Sequence, residues 1–340
     1  MGTIAKKSDD ITSEMWQQIN KFNRDLVDEF IDSKIELSEK SKVQYESSLR
    51  IFFWWVHENL EDKNCIDIKK KEFVKYLNWL TNRGLSESAI KLKKSVVSSF
   101  CNFVMEYYEE EYPTFRSFVS SSMKVVQTGY VHEKQPLTIE EYDELCKKLE
   151  ELEKWQILAW LKFSYSTGCR RAESRQLLKE VVKYSPIIKE VETTDEEGNK
   201  KLVQSISYKT HNIRCKGHSQ VGKVRKLQFS EDAMEAIKKW LEVRGDDDCP
   251  YVFVVKEKNG ETHQVGETVF NDWCSGLLTK LVGRRMHPHL LRESRATNIV
   301  VEEGKSIETA QRLLGHESSE TTVKHYVIRD DIDDADEAFI

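Results

Sequence analysis

The sequence predicts a mainly α protein in two parts, a helical N-terminal domain followed by a mixed α+β domain with a small antiparallel sheet. Three observations carry this expectation. Apolar residues recur at helical spacing from Ser13 to Tyr108, the stretch Met123 to Pro136 interrupts that period, and Val/Ile alternation with turn signals occupies Val181 to Phe229 before helical patterns resume.

Taken in order, Met15, Trp16, Ile19, Phe22, Leu26 and Phe30 mark one helical stretch running from Ser13 to about Lys34. Leu37-Ser-Glu-Lys-Ser-Lys opens a second, which carries Tyr45, Leu49, Phe52 and Phe53. Phe73, Tyr76, Leu77 and Leu80 mark a third that ends near Gly84, and a fourth runs from Ser86, a capping residue, to about Tyr108. Residues 1–12 read as an extension, 13–122 as the helical domain and 123–136 as a linker containing Gly129 and Pro136. Thr138 and Glu141 then form a capping box that opens the second domain, 137–329. Helices are expected near 138–151 and 154–168, a sheet within 181–229 with a turn at Glu197-Gly-Asn199, and further helices at 230–243, behind the N-cap Ser230, and 267–281.

At 340 residues the chain can bury two cores. It has no apolar run of about 18 residues, as a membrane span needs, and Met1-Gly-Thr-Ile-Ala-Lys-Lys lacks the apolar centre of a secretory signal. A cytoplasmic protein is expected. The seven cysteines make no Cys-x-x-Cys pair, so free thiols are expected in place of disulfides or zinc. The net charge of -6 argues against a nucleic-acid partner when read globally. Its distribution says otherwise: acidic residues bunch in Glu109–Glu111, Asp195–Glu197, Asp246–Asp248 and a tail from Asp330, where solvated loops suit them. What remains includes clusters that could face phosphates: Lys69, Lys70 and Lys71; Lys91, Lys93 and Lys94; Lys223 and Arg225 within Lys209 to Lys226; and Arg284 and Arg285.

The chemistry lies nearer the C-terminus, where His289-Leu-Leu-Arg292, Leu313-Leu-Gly-His316 and Tyr326 follow one another. With Arg170 and Lys216 they supply two guanidiniums, two imidazoles, an ammonium and a phenol, a set suited to attacking a phosphodiester without a metal. Two arginines can clamp the non-bridging oxygens as negative charge builds in the pentavalent transition state, and Arg170 and Arg292 are the expected clamp. A tyrosine with a pKa of about 10 needs help to become a nucleophile at neutral pH; His289 and His316 are candidates to give it. The departing 5′-oxygen needs a proton, for which Lys216 is the candidate donor.

On these residues the chain resembles the tyrosine recombinases of the phage-integrase family, from about Asn20 to Tyr326. The family's Thr-Gly-x-Arg-x-x-Glu segment corresponds to Thr167-Gly-Cys-Arg-Arg-Ala-Glu173, which implies that Glu173 supports Arg170. Its lysine hairpin corresponds to Cys215-Lys-Gly-His-Ser-Gln-Val-Gly-Lys-Val-Arg225; this hairpin is longer than usual, so Lys223 competes with Lys216. The His-x-x-Arg and Leu-Gly-His boxes correspond to His289–Arg292 and Leu314–His316, and the nucleophile to Tyr326 after Thr321-Thr322. Any one box occurs by chance; the ordered set does not. Glu293 departs from the family pattern, as does the polar segment between Glu180 and Thr210, and His287, Arg285 and His325 read as surface or supporting residues.

The resemblance implies a helical core-binding domain and a catalytic domain that clamp duplex DNA, four protomers on two sites, and a 3′-phosphotyrosine intermediate that stores the phosphodiester energy without ATP or cofactor. It also implies a nucleoid-associated protein of a mobile element. The extension before Ser13 is shorter than the arm-binding domain many phage integrases carry. The tail at 330–340 places Ile332, Ala335, Ala338 and Phe339 near helical spacing, and the resemblance implies that it docks on a neighbouring protomer. Two alternatives stay open: a sequence-specific repressor that keeps the fold without recombining, and a type IB topoisomerase-like enzyme that rejoins the same strand.

Overall fold

Side-chain caps decide where the first helices begin. In the computed structural model, which describes residues 10–125, 135–194, 200–215 and 223–315, the chain divides into two compact units, Met1–His132 and Glu133–Ile340. The first unit holds α1 (Ser13–Gln18), α2 (Lys21–Ser33), α3 (Glu39–Asn59), α4 (Lys70–Asn82) and α5 (Glu87–Tyr107). Thr12, Asn20, Ser38 and Ser86 each accept a backbone N–H at the head of their helix. The single stretch expected from Ser13 to Lys34 is therefore two helices. Asn20 breaks it: its side chain caps Asn23 N and donates to Asp62 O at 2.6 Å, while buried Asn23 accepts from Cys65 N at 2.8 Å. Two amides thus tie the start of α2 to the loop after α3, an anchor that apolar periodicity cannot reveal.

The core of this unit is aromatic. Phe30 meets Phe100 edge to face at 5.6 Å and Phe52 meets Tyr76 at 5.0 Å, all four rings being wholly buried. Each such ring contributes roughly 1.5–3 kcal/mol by leaving water, so this small unit has a core of its own.

The second unit opens on α6 (Ile139–Glu151), where Thr138 Oγ1 accepts Glu141 N and Glu141 Oε2 accepts Thr138 N, both at 3.1 Å. Helix α7 (Trp155–Thr167) runs through its centre and stops at Gly168, whose φ of 57° lies in the left-handed region. Then come α8 (Arg171–Ser174), β1 (Ile187–Thr194), β2 (Lys200–Lys209), β3 (Ile213–Cys215), β4 (Lys223–Arg225) and β5 (Gln228–Ser230). The small sheet expected here is two pieces, β1-β2-β5 and the hairpin β3-β4, all antiparallel.

Helix α9 (Glu231–Arg244), capped by Ser230, leads to a hairpin the sequence did not announce, β6 (Val254–Lys256) with β7 (Thr262–Gln264). Strands of three residues are too short to display alternation. The stretch 267–281, expected as one helix, is α10 (Glu267–Trp273), a π turn at Cys274–Leu278, and α11 (Thr279–Val282). Thr279 Oγ1 donates to Cys274 O at 2.7 Å and accepts Met286 N at 2.9 Å across that turn. The described chain ends with α12 (Pro288–Val300) and α13 (Ile307–Leu314), the latter closed by Gly315 at φ 68°. Helix α12 is pinned from within: Ser294 Oγ accepts Leu137 N at 2.8 Å, and Asn298 donates to Leu137 O and to the Tyr165 hydroxyl. All seven cysteines are buried free thiols, and no described helix is long and apolar enough to cross a membrane.

Candidate active site

Three chain turns meet at the end of α7. A Cβ on Gly168 would fall 2.5 Å from Leu314 Cδ2, so glycine is needed there both for its positive φ and for the close approach of α13. Two residues on, Arg170 is the N-cap of α8. Glu173 Oε2 accepts Arg170 N and its Oε1 accepts Arg170 Nη1, each at 3.1 Å. The carboxylate is 2 % exposed and the guanidinium 32 %, so Glu173 acts as a buried peg that leaves one edge of Arg170 toward solvent. The support expected of Glu173 has a geometric form.

Arg292 is wholly buried. It donates through Nη1 to Gly168 O and through Nη2 to Leu314 O, the latter at 2.9 Å, so one side chain ties the end of α7 to the end of α13. The expected clamp of two phosphate-facing guanidiniums is thus one partly exposed arginine and one interior one. His289 lies one turn before Arg292 on α12. Its surface is open to water, yet it sits in a hollow crowded by protein. That crowding holds its pKa below the usual histidine value; Glu293 opposes the shift, while Arg292, His287 and Arg170 add to it. Glu293 itself is buried. His287, read as a surface or supporting residue, is the N-cap of α12, its Nδ1 accepting Leu290 N at 3.1 Å.

The hairpin β3-β4 sets Cys215 opposite Lys223. Of the two candidate lysines, Lys223 is thereby placed, and Lys216 follows Cys215 in sequence. Lys216, His316, Tyr326, the turn at 197–199 and the tail 330–340 lie outside the described residues. Burial, reinforced by the Glu173 carboxylate, pushes the Cys169 thiol up to about 12, and burial raises Cys215 as well, so neither thiol is a nucleophile at neutral pH. Tyr208 stacks on Phe229 within the core. No group of three or more His, Cys, Asp or Glu among the described residues is placed to hold a metal ion.

The basic clusters separate by what their side chains do. Lys69, Lys70, Lys71, Lys223 and Arg285 are exposed, as is Lys91, which pairs with Glu87 at 2.5 Å. Lys93 is not available to a phosphate: 8 % exposed, it has its pKa lowered by burial, against the pull of Asp10. Lys94 donates to Met123 O. Arg284 is taken up by Glu141 at 2.7 Å and by the carbonyls of Gln135 and Pro136, where it staples the entry to α6. Arg225 also points inward, to Leu313 O at 2.9 Å. Within the acidic run Asp246–Asp248, Asp247 grips Arg244 in a two-pronged pair instead of lying free in water. A groove of 690 Å³ in the first unit is lined by Lys91, Lys94, Lys124 and several serines.

Against known proteins, the Phage integrase family matches residues 135–331, and the N-terminal SAM-like domain of phage integrases matches residues 25–107. The SPbeta prophage-derived recombinase-like protein YomM of Bacillus subtilis (strain 168) is 34% identical, over 99% of this chain and 96% of its own length. A tyrosine recombinase XerC-like protein of Caldanaerobacter subterraneus is 25% identical over 89% of this chain and 78% of its own. Among solved structures, the Tn1549 transposon integrase in complex with a circular intermediate DNA shares the fold, with a TM-score of 0.65 and 14% identity over 94% of this chain and 99% of that one. A lambda integrase tetramer bound to a Holliday junction gives 0.57, with 17% identity over 88% of this chain and 76% of that one.

Proposed function

Because the chain belongs to the phage integrase family, the tyrosine site-specific recombinases, we propose that it cuts and rejoins double-stranded DNA through a 3′-phosphate bond to Tyr326, four copies acting on two sites. The observation that carries this reading is the convergence on Arg292. One guanidinium reaches both the Gly168 carbonyl of the Thr-Gly-Cys-Arg turn and the Leu314 carbonyl of the Leu-Gly-His turn, so three separated motifs share one place.

In the proposed reaction the open edge of Arg170 takes the non-bridging oxygens of the scissile phosphate, held in aim by Glu173. Arg292 fixes the floor beneath it. His289, kept neutral by its surroundings, is able to accept a proton as the Tyr326 oxygen bonds to phosphorus. The bond from phosphorus to the 5′-oxygen breaks, and Lys216, or Lys223 across the same hairpin, delivers a proton to that oxygen. His316 shares the charge on the phosphate. Attack by the 5′-hydroxyl of the exchanged strand reverses these steps, so no outside energy source enters. Exposed Lys69, Lys70, Lys71 and Lys91 supply sequence-independent contacts to the backbone. Relatives solved on DNA, one of them as a tetramer, support the assembly part of this reading.

One observation favours a second reading, a family member that binds its site without cutting: Arg292 has both terminal nitrogens on main-chain carbonyls and none of its surface in water. A nicked suicide substrate separates the two. The recombinase reading predicts an adduct that survives denaturant and disappears in Tyr326→Phe while binding stays within a few-fold; a mobility shift with no adduct favours the second. Relaxation of supercoiled plasmid without strand exchange would mark topoisomerase-like rejoining.

A further inference from the structure

The side chain of Arg225 is 17 % exposed and its guanidinium meets three elements at once. Nε donates to Cys215 Sγ at 3.3 Å, at the foot of the β3-β4 hairpin. Nη1 donates to Leu313 O at 2.9 Å, at the end of α13. Nη2 lies 3.6 Å from Glu173 Oε2, buried and without a hydrogen bond among the described residues. Since Arg292 holds the next carbonyl, that of Leu314, two guanidiniums clip successive carbonyls of one helix end. A Cβ on Gly315 would overlap the Arg225 guanidinium, so this glycine makes room for Arg225 as well as turning the chain.

Glu173 therefore stands between two guanidiniums. Its Oε1 takes Arg170 and its Oε2 faces Arg225. Resting on the recombinase reading, we infer that Arg225 is a positioning residue, which sets the aim of Arg170 through Glu173 and locks the hairpin foot and the end of α13 to that carboxylate without itself touching DNA. With Arg225 removed, Glu173 loses the cation that faces its Oε2 and keeps Arg170 and the Cys215 thiol among the described residues, so the aim of the Arg170–Glu173 pair is less firmly set. A displacement of about 1 Å in a reacting constellation can cost about 100-fold in rate. A phosphate contact does not fit the same geometry, because every nitrogen of the fork faces protein.

The test compares full-length wild type, Arg225→Ala and Arg225→Lys on a nicked suicide half-site, measuring single-turnover cleavage rate, final amplitude, and affinity across a salt series. The inference predicts a cleavage rate lower by about 100-fold in Arg225→Ala, with affinity, salt slope and amplitude close to wild type. Arg225→Lys is expected to be slowed too, because one ammonium cannot span three partners. Glu173→Gln combined with Arg225→Ala should be no slower than the slower single variant, since both break one chain of contacts.

An unchanged rate, or full activity in Arg225→Lys, would overturn the inference. So would affinity loss with a salt slope shallower by about one unit, the mark of a phosphate contact, or an amplitude that falls while the rate holds, the mark of partial unfolding. Wild-type protein that forms no adduct would overturn the recombinase reading first and this inference with it; a wild-type adduct with wild-type speed in Arg225→Ala sinks the inference alone.

Discussion

Replacing Arg292 by methionine separates what this residue does for the fold from what it does for DNA. The wild-type side chain is wholly buried and donates to two main-chain carbonyls, Gly168 O and Leu314 O. Hydrogen bonds from a charged donor contribute about 1.5–3 kcal/mol each, and the two acceptors left behind would be buried without a donor. Methionine refills part of the volume and removes the cost of a buried charge, which leaves a net loss of about 3 kcal/mol. For a unit of this size that corresponds to a drop of roughly 6–12 °C in melting temperature. Calorimetry on the full chain reads the shift, and hydrogen exchange should place the lost protection at the ends of α7 and α13. Arg170→Ala is the control, since its side chain is partly exposed and its guanidinium is hydrogen-bonded to Glu173 among the described residues; it should melt much closer to wild type while cleavage collapses. A wild-type melting temperature and wild-type exchange in Arg292→Met would refute the buried tie.

Other perturbations follow from the same geometry. Lys216→Ala should regain cleavage on a 5′-phosphorothiolate link, whose sulfur leaves with little protonation; regain in Lys223→Ala in its place would move the acid across the hairpin, to the residue opposite Cys215. Lys91→Ala, at an exposed position, should weaken DNA binding and reduce the salt slope by about one unit, whereas Arg284→Ala should lower stability through Glu141 and leave that slope unchanged. Burial lowers the pKa of His289, so the folded state binds fewer protons than the unfolded chain; stability is full above the unfolded value of about 6.5 and is lost as pH falls through the folded one. The melting temperature of wild type should accordingly fall more between about pH 7.5 and about pH 5 than that of His289→Gln, and parallel curves would show that His289 titrates normally.

Local chemistry was legible where a signal lies within a few residues. The Thr138/Glu141 box and the Ser86 and Ser230 caps are each decided by neighbours in sequence, and the structure has them. The contact of Arg170 with Glu173 belongs here too, because the two lie three residues apart at the head of α8 and Glu173 accepts both the backbone N–H and the guanidinium of Arg170. What escaped depends on partners far along the chain. Asn20 splits a continuous apolar pattern only because the carbonyl of Asp62 is there to receive it. Lys93 and Arg284 look like members of basic clusters, yet one faces the core and the other reaches Glu141. Arg225 reads as a surface cation until the register that pairs it with fully buried Ile213 turns it inward. Charge counting assigns such residues to solvent by default; only the fold says which cations are already engaged.

The central claim is that Tyr326 carries the DNA between cleavage and rejoining, and the most direct measurement is to find the bond. Wild-type protein trapped on a nicked suicide substrate would be digested with protease and nuclease and the residual nucleotide located by peptide mass spectrometry. The account predicts a phosphate-linked nucleotide on the peptide containing Tyr326, at the tyrosine oxygen, with a free 5′-hydroxyl on the released strand. A nucleotide on another residue, such as Tyr251, or a trapped complex that contains no covalent bond at all, would contradict it.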